Sequence, residues 1–282
     1  MKRIIIFMML LSSIGLMSAQ EETKKDYSAL FPQKGNLSFG VDMAQIVRFI
    51  GSETYGRING TGSENAIHNF QSDFFLKYFL TDKVALRVRL DVDIQSNTVR
   101  RFVRDDYQYS IDPLSDIETV DAAKYNVGSF EIGIGGEWRK SFWRASAYFG
   151  GELFVGYGYD NTSYVYGNDI GTANFYPSTT NFGGNISYNN VSIDRVLSSK
   201  SNSVSYGATA FMGMDFFICK NISIGVEFDL SGRATHNGEQ KRVHEEWKYE
   251  EVYTEEKRDI PTSDNFLLNA RPAGFLNLMF YF

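Results

Sequence analysis

The chain has 282 residues, 43% of them hydrophobic, and a formal net charge of −6. An acidic balance argues against nucleic-acid binding, and the single cysteine, Cys219, excludes an internal disulfide. Aromatic residues are plentiful (23 Phe, 17 Tyr, 3 Trp) while Pro (5) and His (3) are scarce, a composition suited to strands.

The first residues read M-K-R-I-I-I-F-M-M-L-L-S-S-I-G-L-M-S-A-Q. Lys2 and Arg3 precede an apolar core, Ile4 to Leu11, and Ser18-Ala19 supplies small residues for cleavage before Gln20. This pattern predicts a secretory signal peptide over 1–19, whose removal takes the formal charge to −8. Residues 20–34 are polar and read as a lead-in without firm structure. Residues 35–282 read as one β domain. No later run approaches the ~18 apolar residues that a transmembrane helix needs.

Period-two alternation then recurs along the chain. Strand 1 is predicted from about Leu37 to Val47, with Asp42 on its polar face, and Arg48 to Asn69 reads as a loop. Strand 2 covers about Phe70 to Leu80, with Phe74, Leu76, Tyr78 and Leu80 on one face and Asp73 and Lys77 on the other. Thr81-Asp82-Lys83 is a tight turn into strand 3, Val84 to Ile94. Strand 3 alternates most cleanly. Val84, Leu86, Val88, Leu90, Val92 and Ile94 share one face, and Arg87, Arg89, Asp91 and Asp93 share the other. At ~3.3 Å per residue and a ~40° tilt such a strand rises about 28 Å, close to the hydrocarbon thickness of a bilayer.

Ser96 to Asn126 reads as a long polar connection. Strand 4 follows (about Val127 to Trp138, polar face Glu131 and Glu137), then a short link over Arg139 to Phe142. Strand 5 runs from about Trp143 to Tyr159 with Glu152 on its polar face. Asp160 to Asn202 is the longest connection, rich in Asn, Ser, Gly and Tyr. Strand 6 (about Ser203 to Phe217, with Asp215) turns at Cys219-Lys220-Asn221 into strand 7 (about Ile222 to Ser231, with Glu227 and Asp229). Gly232 to Asp264 is strongly charged but keeps some alternation at Val243, Glu245, Trp247 and Tyr249, so strands 7 and 8 are expected to continue as a hairpin. Strand 8, about Phe266 to Phe282, carries Arg271 on its second face.

Eight strands whose connections alternate short and long predict an all-β, antiparallel, up-and-down eight-stranded transmembrane β-barrel with short periplasmic turns and long extracellular loops. A soluble barrel, apolar face inward, has no reason for that asymmetry. Aromatics gather at both ends of the strands: Tyr78, Trp138, Phe142, Trp143, Phe216 and Phe280 near the short turns, and Tyr157, Tyr159 and Tyr206 opposite. If the apolar faces meet lipid, the interior collects a charge network of Lys77, Arg87, Arg89, Asp91, Asp93, Glu131, Glu137, Glu152, Asp215, Glu227, Asp229 and Arg271, together with Asp42. An eight-stranded barrel is just wide enough for its own side chains to fill. The expectation is a salt-bridged plug; the alternative is a narrow hydrated path, cation-favouring because acids outnumber bases.

The chain ends L-N-L-M-F-Y-F, with Leu276, Leu278, Phe280 and Phe282 in alternation. Here it resembles bacterial outer-membrane proteins, whose last strand finishes in Phe with alternating apolar residues upstream. The resemblance implies recognition by the barrel assembly machinery, insertion into the outer membrane among lipid and lipopolysaccharide, and both termini in the periplasm. The whole looks like the small OmpA/OmpX/OmpW-type barrels, with a cleavage region and Tyr/Asn-rich loops similar to those of Bacteroidota members.

Chemistry is thinly signalled. His68, His236 and His244 sit among ordinary loop residues with no serine motif nearby; a lipid-modifying site would have His236 as its base. Asp105-Asp106 and the Glu pairs at 245–246, 250–251 and 255–256 lack the spacing of a metal cage. No cofactor is expected. The third long loop, with Tyr164, Tyr166, Phe175, Tyr176 and Tyr188 among Asn, Ser and Gly, has the composition of an adaptable binding surface for a glycan or for an extracellular or membrane-protein partner, or of a disordered shield. The expectation is a non-enzymatic role in surface interaction or envelope integrity, with a small channel, OmpW-like for apolar solutes, as the alternative.

Overall fold

Antiparallel ladders carry most of the chain. A computed structural model describes residues 27–43, 68–188, 192–248 and 251–282; the side chains of 68, 69 and 269–276 lie outside that description. The strands are β1 (Leu37–Asp42), β2 (His68–Thr81), β3 (Val84–Arg104), β4 (Glu118–Phe142), β5 (Ala145–Val165), β6 (Ile186–Tyr188), β7 (Ile193–Cys219), β8 (Ile222–Asn237), β9 (Gln240–Lys248), β10 (Glu251–Ile260) and β11 (Ser263–Tyr281). One short helix, α1 (Asp106–Ile111), lies between β3 and β4.

Eight of these strands form a closed ring of hydrogen-bonded pairs, β1-β2-β3-β4-β5-β7-β8-β11 and back to β1. Closure falls between the two ends of the β domain. Ser38 pairs with Tyr281 and Phe39 with Phe280, Leu37 and Phe282 exchange both backbone hydrogen bonds, and the Asn36 amide donates to the Phe282 carbonyl at 2.9 Å. A closed ring leaves no unpaired edge along its paired length.

The connections at one end are two residues long: Asp82-Lys83, Trp143-Arg144 and Lys220-Asn221. Trp143 takes a left-handed φ of 49°, a conformation that two-residue hairpins demand and that Gly or Asn usually supplies. Its ring lies 5.8 Å from that of Phe216.

At the other end the strands outrun the sequence prediction. The stretch read as a connection from Ser96 to Asn126 is mostly ladder, paired out to Arg104 and Glu118. Likewise β5 and β7 pair from Ala145–Phe216 up to Ser163–Ser198. Backbone hydrogen bonds continue a ladder whether or not one face is apolar, so strands wet on both faces carry no alternation to read. The expected hairpin beyond strands 7 and 8 is present in the register. Ser263 pairs with Asn237, Ile260 with Gln240 and Glu251 with Lys248. Along its outer part β9 also pairs with β7, from Lys200–Lys241 to Asp194–Glu246.

Two sequence-based boundaries need correction. Residues 27–34, read as unstructured, contain a 3-10 turn at Ser28–Leu30. Leu30 and Phe31 pack against a buried cluster of Phe75, Phe79, Ala85, Phe217, Met279 and Tyr281 inside the ring, with Phe31 edge-on to Phe217 at 5.2 Å. Arg139, placed in a turn, belongs to β4. The signal peptide over 1–19, the first part of the lead-in and the upper end of strand 1 lie outside the described residues.

Candidate functional site: the charged interior and the outer loops

The ring is apolar outside, and inside it holds charged side chains beside its aromatic cluster. Leu86, Leu90, Ile132, Ile134, Leu153, Val155, Met212, Ile224 and Val226 are exposed on the outer face, with Ile134 62% and Leu153 71% accessible. Their neighbours of opposite parity are buried: Lys77 2%, Arg87 1%, Glu137 2%, Glu152 4%, Asp215 0% and Glu227 1%. Buried charges persist only when compensated, and each of these has an ion-pair partner.

The Arg87 guanidinium grips Glu227 with two hydrogen bonds of 2.7 Å and lies 3.4 Å from Glu152. Its plane sits between the rings of Phe75 (4.6 Å) and Phe211 (4.1 Å), a cation–π arrangement that Lys would not reproduce. Tyr148 adds a 2.9 Å hydrogen bond to Glu227. Arg89 donates to Glu152 at 2.6 Å and to Glu131 at 2.5 Å, with Asp91 3.7 Å and Asp73 4.0 Å away. Lys77 meets Glu137 at 2.8 Å and lies over the Tyr148 ring.

Two cations that the sequence reading left out complete the network. Arg139 bridges Glu137 at 3.0 Å and Asp215 at 2.7 Å, and Arg233 meets Glu131 at 2.6 Å. Both continue the parity of predicted interior residues, Arg139 after Glu137 and Arg233 after Glu227 and Asp229. Asp93 is not drawn in and has no ion pair among the described residues. Asp229 stands opposite Arg271 in the β8–β11 register; the Arg271 side chain, like that of Leu276, lies outside the described residues.

Glycines make room for these large groups. Gly213, opposite Tyr148 in the register, would place a Cβ 2.5 Å from the tyrosine oxygen. A Cβ on Gly135, opposite Glu152, would lie 2.6 Å from the Cβ of that glutamate. Large interior residues therefore face small ones across the ladder, as filled interiors require.

The third long connection is built, not loose. Asp121, fully buried, accepts hydrogen bonds from the backbone N–H groups of Gly167 and Thr180 and from the Thr179 hydroxyl. Asn168 donates to the carbonyls of Arg104 and Ser178. Arg195 donates to the Asn168 carbonyl and Glu245 and stacks on Tyr166 at 4.4 Å. Tyr176 and Tyr188 remain exposed and line a groove of about 500 Å³ with Val103, Arg104 and Pro177.

Asp106 pins the same loop, accepting from the Ser178 N–H and the Asn174 amide and from Arg104. Burial pushes its carboxyl up, but these hydrogen bonds outweigh that and hold it below the ordinary range. A depressed folded value means that its stabilising contribution is complete above the unfolded value and is lost as pH falls through the folded one. Protection at residues 174–180, the intrinsic exchange rate divided by the observed rate at each pH, is therefore expected to hold from neutral pH downward and to fall only as pH drops below the ordinary aspartate range, about 4. Asp106→Asn should remove that pH dependence.

The histidines face acids. His236 meets Asp264 at 2.7 Å and His244 meets Asp194 at 2.8 Å; the His68 side chain lies outside the described residues. Among the described residues no group of three or more His, Cys, Asp or Glu could hold a metal ion.

No protein-family model matches the sequence, and no curated protein matches it. Among solved structures the chain is similar to the outer membrane protein OprG from Pseudomonas aeruginosa, with 9% identity over 90% of this chain and 98% of that one. The TM-score is 0.31, too low an overlap to support a conclusion about this chain.

Proposed function

We propose that the chain is an integral outer-membrane β-barrel with both termini in the periplasm and a non-enzymatic role in surface interaction or envelope integrity. One observation carries this reading: the ring is inverted relative to a soluble protein, with aliphatic side chains outside and paired charges inside. Contiguous exposed apolar surface of this extent requires a covering, and a belt around a closed ring of strands fits lipid.

Several features support it. The two-residue turns and the long connections sit at opposite ends. Trp138, Phe142, Trp143 and Phe216 are exposed at the two-residue-turn end, and Tyr157 and Tyr206 stand further up the wall, as interfacial girdles do. Leu276, Leu278, Phe280 and Phe282 fit the end signature read by the barrel assembly machinery. Outer-membrane lipid and lipopolysaccharide are then the immediate surroundings. The pinned loop with exposed Tyr176 and Tyr188 is the surface offered to an extracellular or membrane-protein partner.

Filling of the lumen favours this role over transport. Phe79 and Phe217 are wholly buried and Tyr281 nearly so; Phe31 lies against this cluster, and Arg87 and Arg139 fill the adjoining space. Planar-bilayer recordings test the choice. The folded chain is expected to be silent at voltages that open porins. Discrete, cation-favouring steps would instead make a passive channel the leading function.

A further inference from the structure

The interior changes character partway up the ring. Near the two-residue turns the inward residues are large: Phe, Tyr, Arg and Glu. Further up they become small and polar, and the register shows how. Asp93 pairs with Ser129, Ser129 with Gly158, Gly158 with Ser203 and Ser203 with Asn237, one continuous layer across five strands. The next layer outward runs Gln95, Val127, Asp160, Ser201. Three serines and one glycine in these two layers leave space that larger residues occupy below. The result is a cavity of about 360 Å³ lined by these residues together with Tyr159 and Asn202. Gln95 and Asp160 are solvent-exposed, so the cavity is open to water.

Its charge is uncompensated among the described residues. Below it, Glu131, Glu137, Glu152, Asp215 and Glu227 each have a cationic partner within 3.5 Å. Asp93 and Asp160 have none among the described residues, and no Lys, Arg or His lines the cavity. Arg233, two layers below, is occupied by Glu131 and the Ser205 hydroxyl. The lining thus offers two carboxylates without a cation among the described residues, side-chain amides from Gln95 and Asn237, and serine hydroxyls. Such a set accepts many hydrogen bonds and favours positive charge.

We propose that this cup, closed below and open towards the long connections, binds a small organic polycation of the polyamine kind. The acceptors are distributed around a volume larger than a bare metal ion needs, so several amine groups spaced along one molecule can be satisfied together. Charge alone would give a weak, screened attraction; the enclosed amides and hydroxyls supply the selectivity.

The test is isothermal titration of spermidine into the full chain folded in detergent micelles, with folding checked by circular dichroism and heat-dependent gel migration. Saturable one-to-one binding is expected. The Asp93→Asn/Asp160→Asn double variant should bind at least tenfold more weakly, and Glu256→Gln, on the exposed hairpin, should bind as the parent does. Ser203→Phe, which fills the cup and keeps both carboxylates, should also lose binding. Absence of saturable binding, equal binding by the double Asn variant, or full displacement by an equal concentration of magnesium would each overturn the proposal.

Discussion

Arg87→Met is expected to cost about 3–5 kcal/mol of folding free energy, because it leaves buried carboxylates without their counter-ion. Arg87 is 1% exposed, and its two bonds to Glu227 are matched by a contact to Glu152. Removing the guanidinium leaves Glu227, itself 1% exposed, without its counter-ion. Two comparisons make the prediction specific. Arg104→Met, at a half-exposed guanidinium paired with Asp106, should cost about 0–1 kcal/mol. Adding Glu227→Leu to Arg87→Met should recover part of the loss, since an apolar pair of similar volume is often tolerated where half an ion pair is not. Urea titration of the folded protein reads all three. A midpoint unchanged in Arg87→Met would show that the interior network does not hold the ring.

The second large effect is expected on the outside. Leu90→Arg should cost about 2–4 kcal/mol in a bilayer, the range for a cation at the midplane of a barrel's lipid face. Leu90 lies on the outer face midway along the apolar run of β3, level with Phe74 and Ile132. Thr98→Arg, on the same face of β3 but beyond that run, should cost no more than about 1 kcal/mol, as substitutions near or beyond the interface do. The gradient between the two sites is the signature of lipid. On a soluble protein neither change would cost much, because both positions would face water. Reversible unfolding in vesicles measures it.

The ring was legible in the sequence because its two faces differ so sharply. In β3 alone, Leu86, Val88 and Leu90 against Arg87, Arg89 and Asp91 give the inward and outward sets without further information. The same parity placed Lys77, Glu137, Glu152, Asp215 and Glu227 inside. It failed at the ends of strands. Arg139 and Arg233 lie just past the positions where outward apolar residues stop, so a boundary drawn on hydrophobicity excluded them. The ladder itself does not stop there, since its hydrogen bonds are indifferent to what the side chains meet.

The outer end hid more. Thr98, Arg100, Lys124 and Asn126 stand on strands that are polar on both faces, and polar strands read as loops. Helix α1 did leave a mark: the Asp105 side chain accepts from the Gln108 backbone N–H at 3.0 Å, and an acid three residues before Gln is a helix-start pattern. The pinning of the third loop by Asp121 and the packing of Phe31 beneath the ring join residues far apart in sequence, through contacts that no local pattern announces. The unpaired state of Asp93 is of the same kind. Its parity matches that of Arg89 and Asp91, and only the three-dimensional arrangement shows that no cation among the described residues reaches it.

The inverted ring in a bilayer is tested most directly by depth-dependent quenching of tryptophan fluorescence with brominated phospholipids. The chain has three tryptophans. Trp138 and Trp143 stand at the two-residue-turn end of the wall, both exposed, and Trp247 packs against Phe175 on the outer hairpin. Single-tryptophan variants, with the other two changed to Phe, would be folded into vesicles carrying bromine at successive acyl positions. Strong quenching of Trp138 and Trp143 by bromine near the headgroups, with Trp247 unaffected at every depth, is the predicted result. Equal quenching of all three, or none of Trp138, would contradict a barrel standing in lipid with its long connections outside.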